Sequence, residues 1–319
     1  MGDKFFEDRR RERVALTRAE IDSLSELDNY RSAYGVFETI AVIIFLISFA
    51  VLFWHPLVLV LVVCLIASRQ QALFVLAHDA AHYRLFKARR LNDFLGRMLA
   101  MPVGISMCTY RVIHRLHHNH LYDKRDPDIP LIAGYPRGQR YFLGKLFKDL
   151  AGLTAWKTFK YFFGAPVIND DAGEAARPLN DTAPHLRQAA RNDRWWVLSW
   201  QVTIFTVAFM FDWWLEYLVL WLLPLVTITQ MLLRFRAVLE HGAISDTSSA
   251  LTAARTNTGP RWLIWLLFPH HVNFHIEHHL FPTVPYYNLP KCHALLNKKG
   301  ALSTAEVRRL QDSLSLVLS

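Results

Sequence analysis

The stretch that decides the fold covers residues 57–82 and reads LVLVLVVCLIASRQQALFVLAHDAAH. It is apolar apart from one short polar patch, and it ends in His78 and His82. An apolar segment of about 20 residues is long enough to cross the hydrocarbon core of a bilayer as a helix. Two histidines four residues apart lie on one face of a helix, about 5–6 Å from each other. The stretch therefore predicts a membrane span that carries a pair of imidazoles at its end.

The other apolar residues complete two blocks, each long enough for two spans. In the first block, residues 35–77, the sequence His55-Pro56 separates two apolar runs. In the second block, residues 195–233, the sequence Asp212-Trp213 does the same. Each block predicts a helical hairpin joined by a tight turn. We therefore predict an all-α integral membrane protein with four transmembrane helices arranged as two hairpins.

The positive charges indicate which side of the membrane the remaining residues occupy. Residues 1–34 hold seven of the 36 lysines and arginines, residues 78–194 hold nineteen, and residues 234–319 hold nine. The two turns on the opposite side, 54–56 and 212–216, hold none. Because cytoplasmic loops are enriched in lysine and arginine, both termini and the central region are predicted to be cytoplasmic. We attribute the net charge of +9 to orientation and to contact with membrane lipids or an acidic partner, not to nucleic acid.

The predicted organisation alternates cytoplasmic and membrane parts. It begins with an amphipathic cytoplasmic segment, in which Leu16, Ile21 and Leu24 recur at near-helical spacing. The polar regions on either side of the second hairpin form a helical cytoplasmic cap. The five parts are 1–34 (N-terminal segment), 35–77 (first hairpin), 78–194 (first part of the cap), 195–233 (second hairpin) and 234–319 (second part of the cap).

Histidine clusters carry the chemistry of the predicted cap. The chain has fifteen histidines. Eight of them form three clusters of ligand spacing, and a ninth follows the last predicted span in the same compartment. The clusters are His78-Asp-Ala-Ala-His82, His114-Arg-Leu-His117-His118 and His275-Ile-Glu-His278-His279, and the ninth histidine is His241. Such a set packed together without a metal would bury many donors and acceptors that need partners.

The number of histidines favours two metal ions and a redox role. Imidazole suits zinc, copper, iron and nickel, but zinc normally takes three or four protein ligands. A crowded, neutral, all-nitrogen site therefore favours a pair of iron ions over zinc. A remote alternative is an intramembrane zinc hydrolase, in which Asp79 would occupy the place of a general base, although a hydrolase needs far fewer histidines. A metal transporter would carry its ligands near the middle of the spans.

The same segments resemble the membrane fatty acid desaturase/hydroxylase family. The matching motifs are HDAAH (78–82), HRLHH (114–118) with the following Asp126-Pro127-Asp128, and HIEHHLFP (275–282). The resemblance covers roughly residues 35–295 and implies a four-helix membrane protein with a di-iron site in a cytosolic cap. By position it implies nine metal ligands, namely His78, His82, His114, His117, His118, His241, His275, His278 and His279.

Residues beside the clusters are predicted to support the ligands. Asp126, Asp128 and Glu277 are expected to accept hydrogen bonds from the distal nitrogens of ligand rings. His271, four residues before His275, is expected to be a further hydrogen-bond partner. No catalytic group beyond the metal centre is predicted. No role is assigned to the isolated histidines, which are His55, His185 and His293.

The resemblance implies an oxygen-dependent fatty acyl desaturase that introduces a double bond into a long apolar chain. The alternative within the family is a hydroxylase or ketolase acting on hydrocarbon, sphingoid or carotenoid substrates. The expected partners are a long-chain acyl or other lipid, O2, membrane lipids and a separate electron donor (a ferredoxin or a cytochrome b5-like protein). The expected location is a bacterial inner membrane in preference to the endoplasmic reticulum.

Overall fold

A computed structural model describes residues 15–123, 125–163 and 183–319, and the first fourteen residues of the predicted N-terminal segment lie outside it. Helices dominate these residues. In chain order they are α1 (Arg18–Ser25), α2 (Asn29–Leu52), α3 (Pro56–Ala81), α4 (Arg89–Ala100), α5 (Met107–His120), α6 (Ile129–Ile132), α7 (Gln139–Leu150), α8 (Ala155–Phe162), α9 (Pro184–Met210), α10 (Trp214–His241), α11 (Arg261–Leu267), α12 (His275–Leu280), α13 (Leu289–Lys298) and α14 (Leu310–Leu318).

The first apolar block forms two helices, α2 and α3, which extend beyond the predicted bounds at both ends. The carboxylate of Asp28 caps α2 by accepting a hydrogen bond from the backbone N–H of Tyr30 at 2.8 Å. The break at His55-Pro56 starts α3, because proline at the first helical position loses no hydrogen bond that the helix would otherwise make. The helix α3 ends at Ala81 and includes His78 in its last turn.

Three helices of the described residues are long and apolar enough to cross a membrane, namely α2, α3 and α10. The helix α9 contains all but the last residue of the third predicted span, 195–211, but it is not among them. Its first turns carry several arginines, so only its second half is apolar. The chain is therefore a largely helical membrane protein in which three described helices are long and apolar enough to cross the membrane. The fourth span stays a prediction.

Large apolar side chains on the outer faces of the helices agree with a lipid environment. On α2, the exposed fractions are 68% for Phe37, 59% for Ile44 and 64% for Phe45. On α9, Phe205 and Phe209 are exposed in the same way. Contiguous exposed apolar surface of this kind is rare on soluble monomers and marks contact with a membrane or a partner.

The predicted helical character of the chain is confirmed, and one short pair of strands accompanies the helices. Two short strands, β1 (Thr256–Thr258) and β2 (Val307–Arg309), pair in parallel. Three residues are too few to show the alternation by which a strand is recognised in a sequence. The pair matters for the site because β1 lies next to α12, which carries the third histidine cluster.

The close approach of α4 to α3 helps to fix the histidine-bearing end of α3. A Cβ atom placed on Gly96 of α4 would lie 2.5 Å from the Cβ atom of Ala80. Ala80 is between the two histidines of the first cluster, and its Cβ cannot move without its backbone. Only glycine therefore allows α4 to pack at this distance.

We expect Gly96→Ala to lower the midpoint of thermal unfolding in detergent, because overpacking of this kind costs roughly 1–3 kcal/mol. The matched control is Gly144→Ala, which lies within α7 and has no atom within 4 Å of the added methyl group among the described residues. Alanine is preferred to glycine inside a helix, so the control should keep or raise the midpoint. Equal midpoints for the two variants would contradict the packing constraint.

Candidate metal centre

The structure brings all nine histidines of the predicted ligand set together in two adjacent groups. Within each group, every pair of candidate ligand atoms lies within 4.8 Å. The first histidine group consists of His78, His82, His114, His118 and His278, and the second histidine group consists of His117, His241, His275 and His279. The groups touch, since the rings of His118 and His279 stack with their centroids 4.3 Å apart.

Helical spacing explains how the histidines divide. On α5, His114 and His118 are four residues apart and share a face, whereas His117 is turned by about 100° from His118. The second cluster therefore divides between the two groups. On α12 the same division recurs, with His275 and His279 in one group and His278 in the other. A His-x-x-His-His sequence on a helix thus supplies imidazole rings to both histidine groups.

In the first group the Nε2 atoms of three rings lie so close together that they cannot all form hydrogen bonds with one another. The Nε2 atom of His78 lies 2.8 Å from that of His114 and 3.1 Å from that of His278, and the last two are 3.3 Å apart. A neutral ring nitrogen offers one lone pair or one N–H along a single direction. Three such atoms in a triangle cannot all be paired. A metal cation that accepts their lone pairs fits this arrangement.

The second group repeats this geometry at the end of α10. The Nε2 atom of His241 lies 2.7 Å from that of His275 and 3.2 Å from that of His117. The Nε2 atoms of His275 and His279 are 3.1 Å apart. The backbone carbonyl of Ala253 lies 3.3 Å from Nδ1 of His241, which leaves its Nε2 directed at the group.

Burial keeps most of these rings in the form that binds metal. Burial and the neighbouring imidazoles together hold the pKa of each ring well below the usual 6.5. This holds for His82, His114, His118, His275, His278 and His279. A metal ligand must be the neutral imidazole, so the site does not need to release protons from these rings at neutral pH.

His117 differs because two carboxylates lie behind it. Burial opposes its charge, but Asp126 and Asp128 raise the pKa of His117 to about 9. The Nδ1–H of His117 donates to Asp126 at 3.0 Å, and Asp128 lies 3.4 Å from the same nitrogen. The carboxylate of Asp126 also accepts from the backbone N–H of Tyr122 at 3.1 Å. Asp126 thus orients the His117 ring, as the sequence predicts, with Nε2 toward His241.

Glu277 and His271 lie elsewhere than predicted. Within the described residues, Glu277 accepts a hydrogen bond from the hydroxyl of Thr256 at 2.7 Å and lies 2.5 Å from Nδ1 of His293. Its predicted bond to a ring of the nine histidines is not among these contacts. His271 is exposed, and its ring packs near Phe274, because a left-handed backbone at φ 59° turns it away from the groups.

Several residues at the site were missed by sequence reasoning. Tyr161 donates to Asp128 at 2.7 Å, and the hydroxyl of Tyr122 donates to the backbone carbonyl of His241 at 2.7 Å. His293, for which the sequence predicts no role, contacts the carboxylate of Glu277 and so helps to hold α12 in place. These contacts join residues far apart in the chain, so no local spacing could have indicated them.

A cavity of about 310 Å³ opens beside the two groups. It reaches His114 of the first group and His117, His241 and His275 of the second. The remaining walls come from α8, α10 and the segment that follows α5. A small molecule in this cavity would lie against both histidine groups, which is the geometry that an active site requires.

Comparison with known proteins identifies the family. The fatty acid desaturase family model matches residues 30–309. The chain belongs to the fatty acid desaturase family. Members of this family are oxygen-dependent oxidoreductases, and membership makes this chain one of them. The two histidine groups are thus the expected metal centre of a desaturase-family enzyme.

The relatives of this desaturase-family enzyme differ in what their names say they oxidise. The dihydrorhizobitoxine desaturase of Bradyrhizobium elkanii is 26% identical over 88% of this chain and 80% of its own length. An omega-3 fatty acid desaturase of the endoplasmic reticulum from Vigna radiata is 25% identical, over 68% of this chain and 59% of its own length. A beta-carotene ketolase of Paracoccus sp. is 28% identical, over 68% and 72%. By their names, two of these relatives are desaturases and one is a ketolase.

Removal of the Asp126 carboxylate should weaken metal binding at the second group. We expect Asp126→Ala to lower metal affinity there by about 10–100-fold, the usual effect of losing a carboxylate behind a ligand histidine. The measurement is the metal content of purified protein after dialysis against a graded chelator. The control is Asp123→Ala, since Asp123 pairs with the exposed Arg125. Equal metal retention in both variants would contradict an orienting role for Asp126.

Proposed function

We propose that each histidine group binds one iron ion and that the enzyme uses O2 to desaturate the apolar chain of a lipid-class substrate. The observation that supports this proposal is the division of nine mostly neutral imidazoles, eight of them buried and one half-buried, into adjacent sets of five and four. Four or five nitrogen ligands to each ion suit iron better than the three or four of zinc. Two adjacent redox ions match the two-electron demand of desaturation.

The net reaction fixes what the protein must supply. Two hydrogen atoms leave adjacent carbons of the substrate. With two electrons from a donor and two protons, they reduce O2 to two molecules of water. Bound iron would supply the activation of O2 that makes hydrogen abstraction from an unactivated C–H bond feasible. The residues of the chain hold the ligand rings, position the substrate in the cavity and limit the access of bulk water.

The position of the site is consistent with entry of a substrate from the membrane. His78 is in the last turn of α3, and His241 is the last residue of α10. Both helices are candidate spans, so the groups lie where the apolar segments end. We propose that this end is cytoplasmic, as the distribution of lysine and arginine indicates, and that a separate ferredoxin or cytochrome b5-like protein delivers electrons there. A bacterial inner membrane is the proposed location.

A second candidate reaction uses the same site for insertion of oxygen. Three relatives carry the name of a carotenoid ketolase. Hydroxylation or ketone formation needs the same ligands and the same oxidant, and differs in whether oxygen is transferred to the carbon after the first hydrogen is removed. The zinc hydrolase alternative has no support from the relatives, which are oxidoreductases.

Two substitutions within α12 test the assignment of one metal to each group. We expect purified wild-type protein to contain about two irons per chain, and His278→Ala or His275→Ala to contain about one each. Both variants should lose oxidation of substrate. The control is His185→Ala, because His185 is exposed at the start of α9. Zinc in place of iron, or full iron content in both variants, would overturn the proposal.

Product analysis separates desaturation from oxygen insertion. A host that expresses the chain should accumulate lipid or metabolite products two hydrogen atoms lighter than their precursors, as measured by mass spectrometry of total extracts. Products heavier by one oxygen atom would instead establish hydroxylation, and products with one oxygen more and two hydrogens fewer would establish ketone formation. The His278→Ala variant serves as the inactive control in the same host.

A further inference from the structure

The cavity beside the histidines has an unusual wall for an enzyme that would accept a plain hydrocarbon chain. One face of α10 lines it over about three turns, since the lining residues recur at helical spacing. They are Gln230, Leu233, Arg234, Arg236, Ala237, Glu240 and His241. A straight helix rises 1.5 Å per residue, so this face extends about 16 Å from the second histidine group. The cavity is thus a short channel along α10 that ends at the histidines.

The end of the channel nearest the histidines holds a charged pair. Arg236 and Glu240 both line the cavity, and Nε of Arg236 lies 3.3 Å from Oε2 of Glu240. The same carboxylate oxygen is 3.8 Å from Nε2 of His275. Apolar side chains such as Phe74 and Ile113 form the adjacent walls. A substrate positioned for oxidation would therefore touch both charged side chains.

Two atoms of this pair are buried without a hydrogen-bond partner. Among the residues that the structure describes, neither Nε of Arg236 nor Oε1 of Glu240 makes a hydrogen bond. The Glu240 side chain is only 3% exposed. A buried polar atom that remains unpaired costs free energy, because it has lost its water without gaining a partner. An alkyl chain in the cavity would leave Oε1 of Glu240 in this state, whereas Nε of Arg236 keeps its ion pair with Oε2 of Glu240.

We propose that the substrate carries a hydrogen-bonding oxygen close to the carbon that is oxidised. A hydroxyl, ether or carbonyl oxygen accepts from the guanidinium of Arg236, and a hydroxyl group also donates to Glu240. The volume of the cavity, about 310 Å³, is at the lower end of the range for small-molecule sites. The proposed substrate is therefore an oxygenated chain whose oxidised part fits a cavity of this size. This inference rests on the proposed function, because it assumes that the cavity receives the molecule that is oxidised.

Binding measurements on matched probes test the proposal without any turnover. The probes are octane, butyl propyl ether and heptan-1-ol, which have the same number of non-hydrogen atoms and differ in one oxygen. Dissociation constants are measured by calorimetry on iron-loaded protein in detergent, without O2 and without an electron donor. The quantity compared is the ratio of the octane constant to the constant of each oxygenated probe.

The informative variant replaces both charges at once, as Arg236→Met with Glu240→Leu. Removing both partners avoids leaving one unpaired charge in a buried place, which would destabilise the fold. We expect the wild-type ratio for heptan-1-ol to exceed the ratio of the double variant by about 10-fold or more, equivalent to 1.4 kcal/mol. The wild-type and variant ratios are measured in the same detergent. The partition of each probe into micelles is therefore the same for both proteins and cancels when the two ratios are compared. The exposed Arg90 supplies the control, Arg90→Leu, which should keep the wild-type ratio.

An unchanged ratio in the double variant would overturn the proposal and would mean that bound water satisfies the pair. If the double variant does not fold, the wild-type ratio corrected for partition into detergent alone gives the second measurement, and equal corrected affinities would likewise refute the proposal. Iron content and oxygen consumption are measured separately. Their failure would remove the proposed function while leaving the binding result intact, so the two claims can fail independently.

Discussion

The structure depends on one constraint, which is that nine imidazole rings, eight of them buried and one half-buried, are packed in contact with one another. As neutral rings they cannot pair all their nitrogens, since three Nε2 atoms within 3.3 Å form a triangle in the first group. As cations they would repel one another in a place without water. Binding of metal ions removes both difficulties, because each lone pair then has a partner. The rest of the fold serves to keep four separate segments of the chain at this point.

The segments are held by contacts that lie behind the rings. Asp79 accepts from the backbone N–H of Tyr286 at 2.8 Å, which attaches the end of α3 to the segment after α12. Glu277 links Thr256 of β1 to His293 of α13, so that α12 is fixed on two sides. Asp126 fixes the ring of His117. Buried carboxylates therefore position the segments, while the Nε2 atoms of the imidazoles face one another within each group.

Membrane and site are coupled through the helices that carry the histidines. The spans α3 and α10 end at His78 and His241, and α10 also provides one wall of the cavity. In the proposed function, a substrate that enters along α10 would move from the apolar segment toward the histidine groups. The Arg236–Glu240 pair lies within the last two turns of the helix. We propose that this helix, which ends at His241, also contributes to the choice of substrate.

The sequence alone identified three apolar spans, the nine histidines that lie together and Asp126 as the hydrogen-bond partner of a histidine ring, because each follows from local spacing or from a motif. Length and hydropathy identify an apolar helix wherever it packs, and a period of 3.6 residues fixes which histidines share a face. Only the tertiary structure decided the division into five and four, the partners of Glu277, the strand pair and the Arg236–Glu240 wall. These depend on which faces of distant helices meet, and spacing along the chain sets the direction of a side chain but not its neighbour.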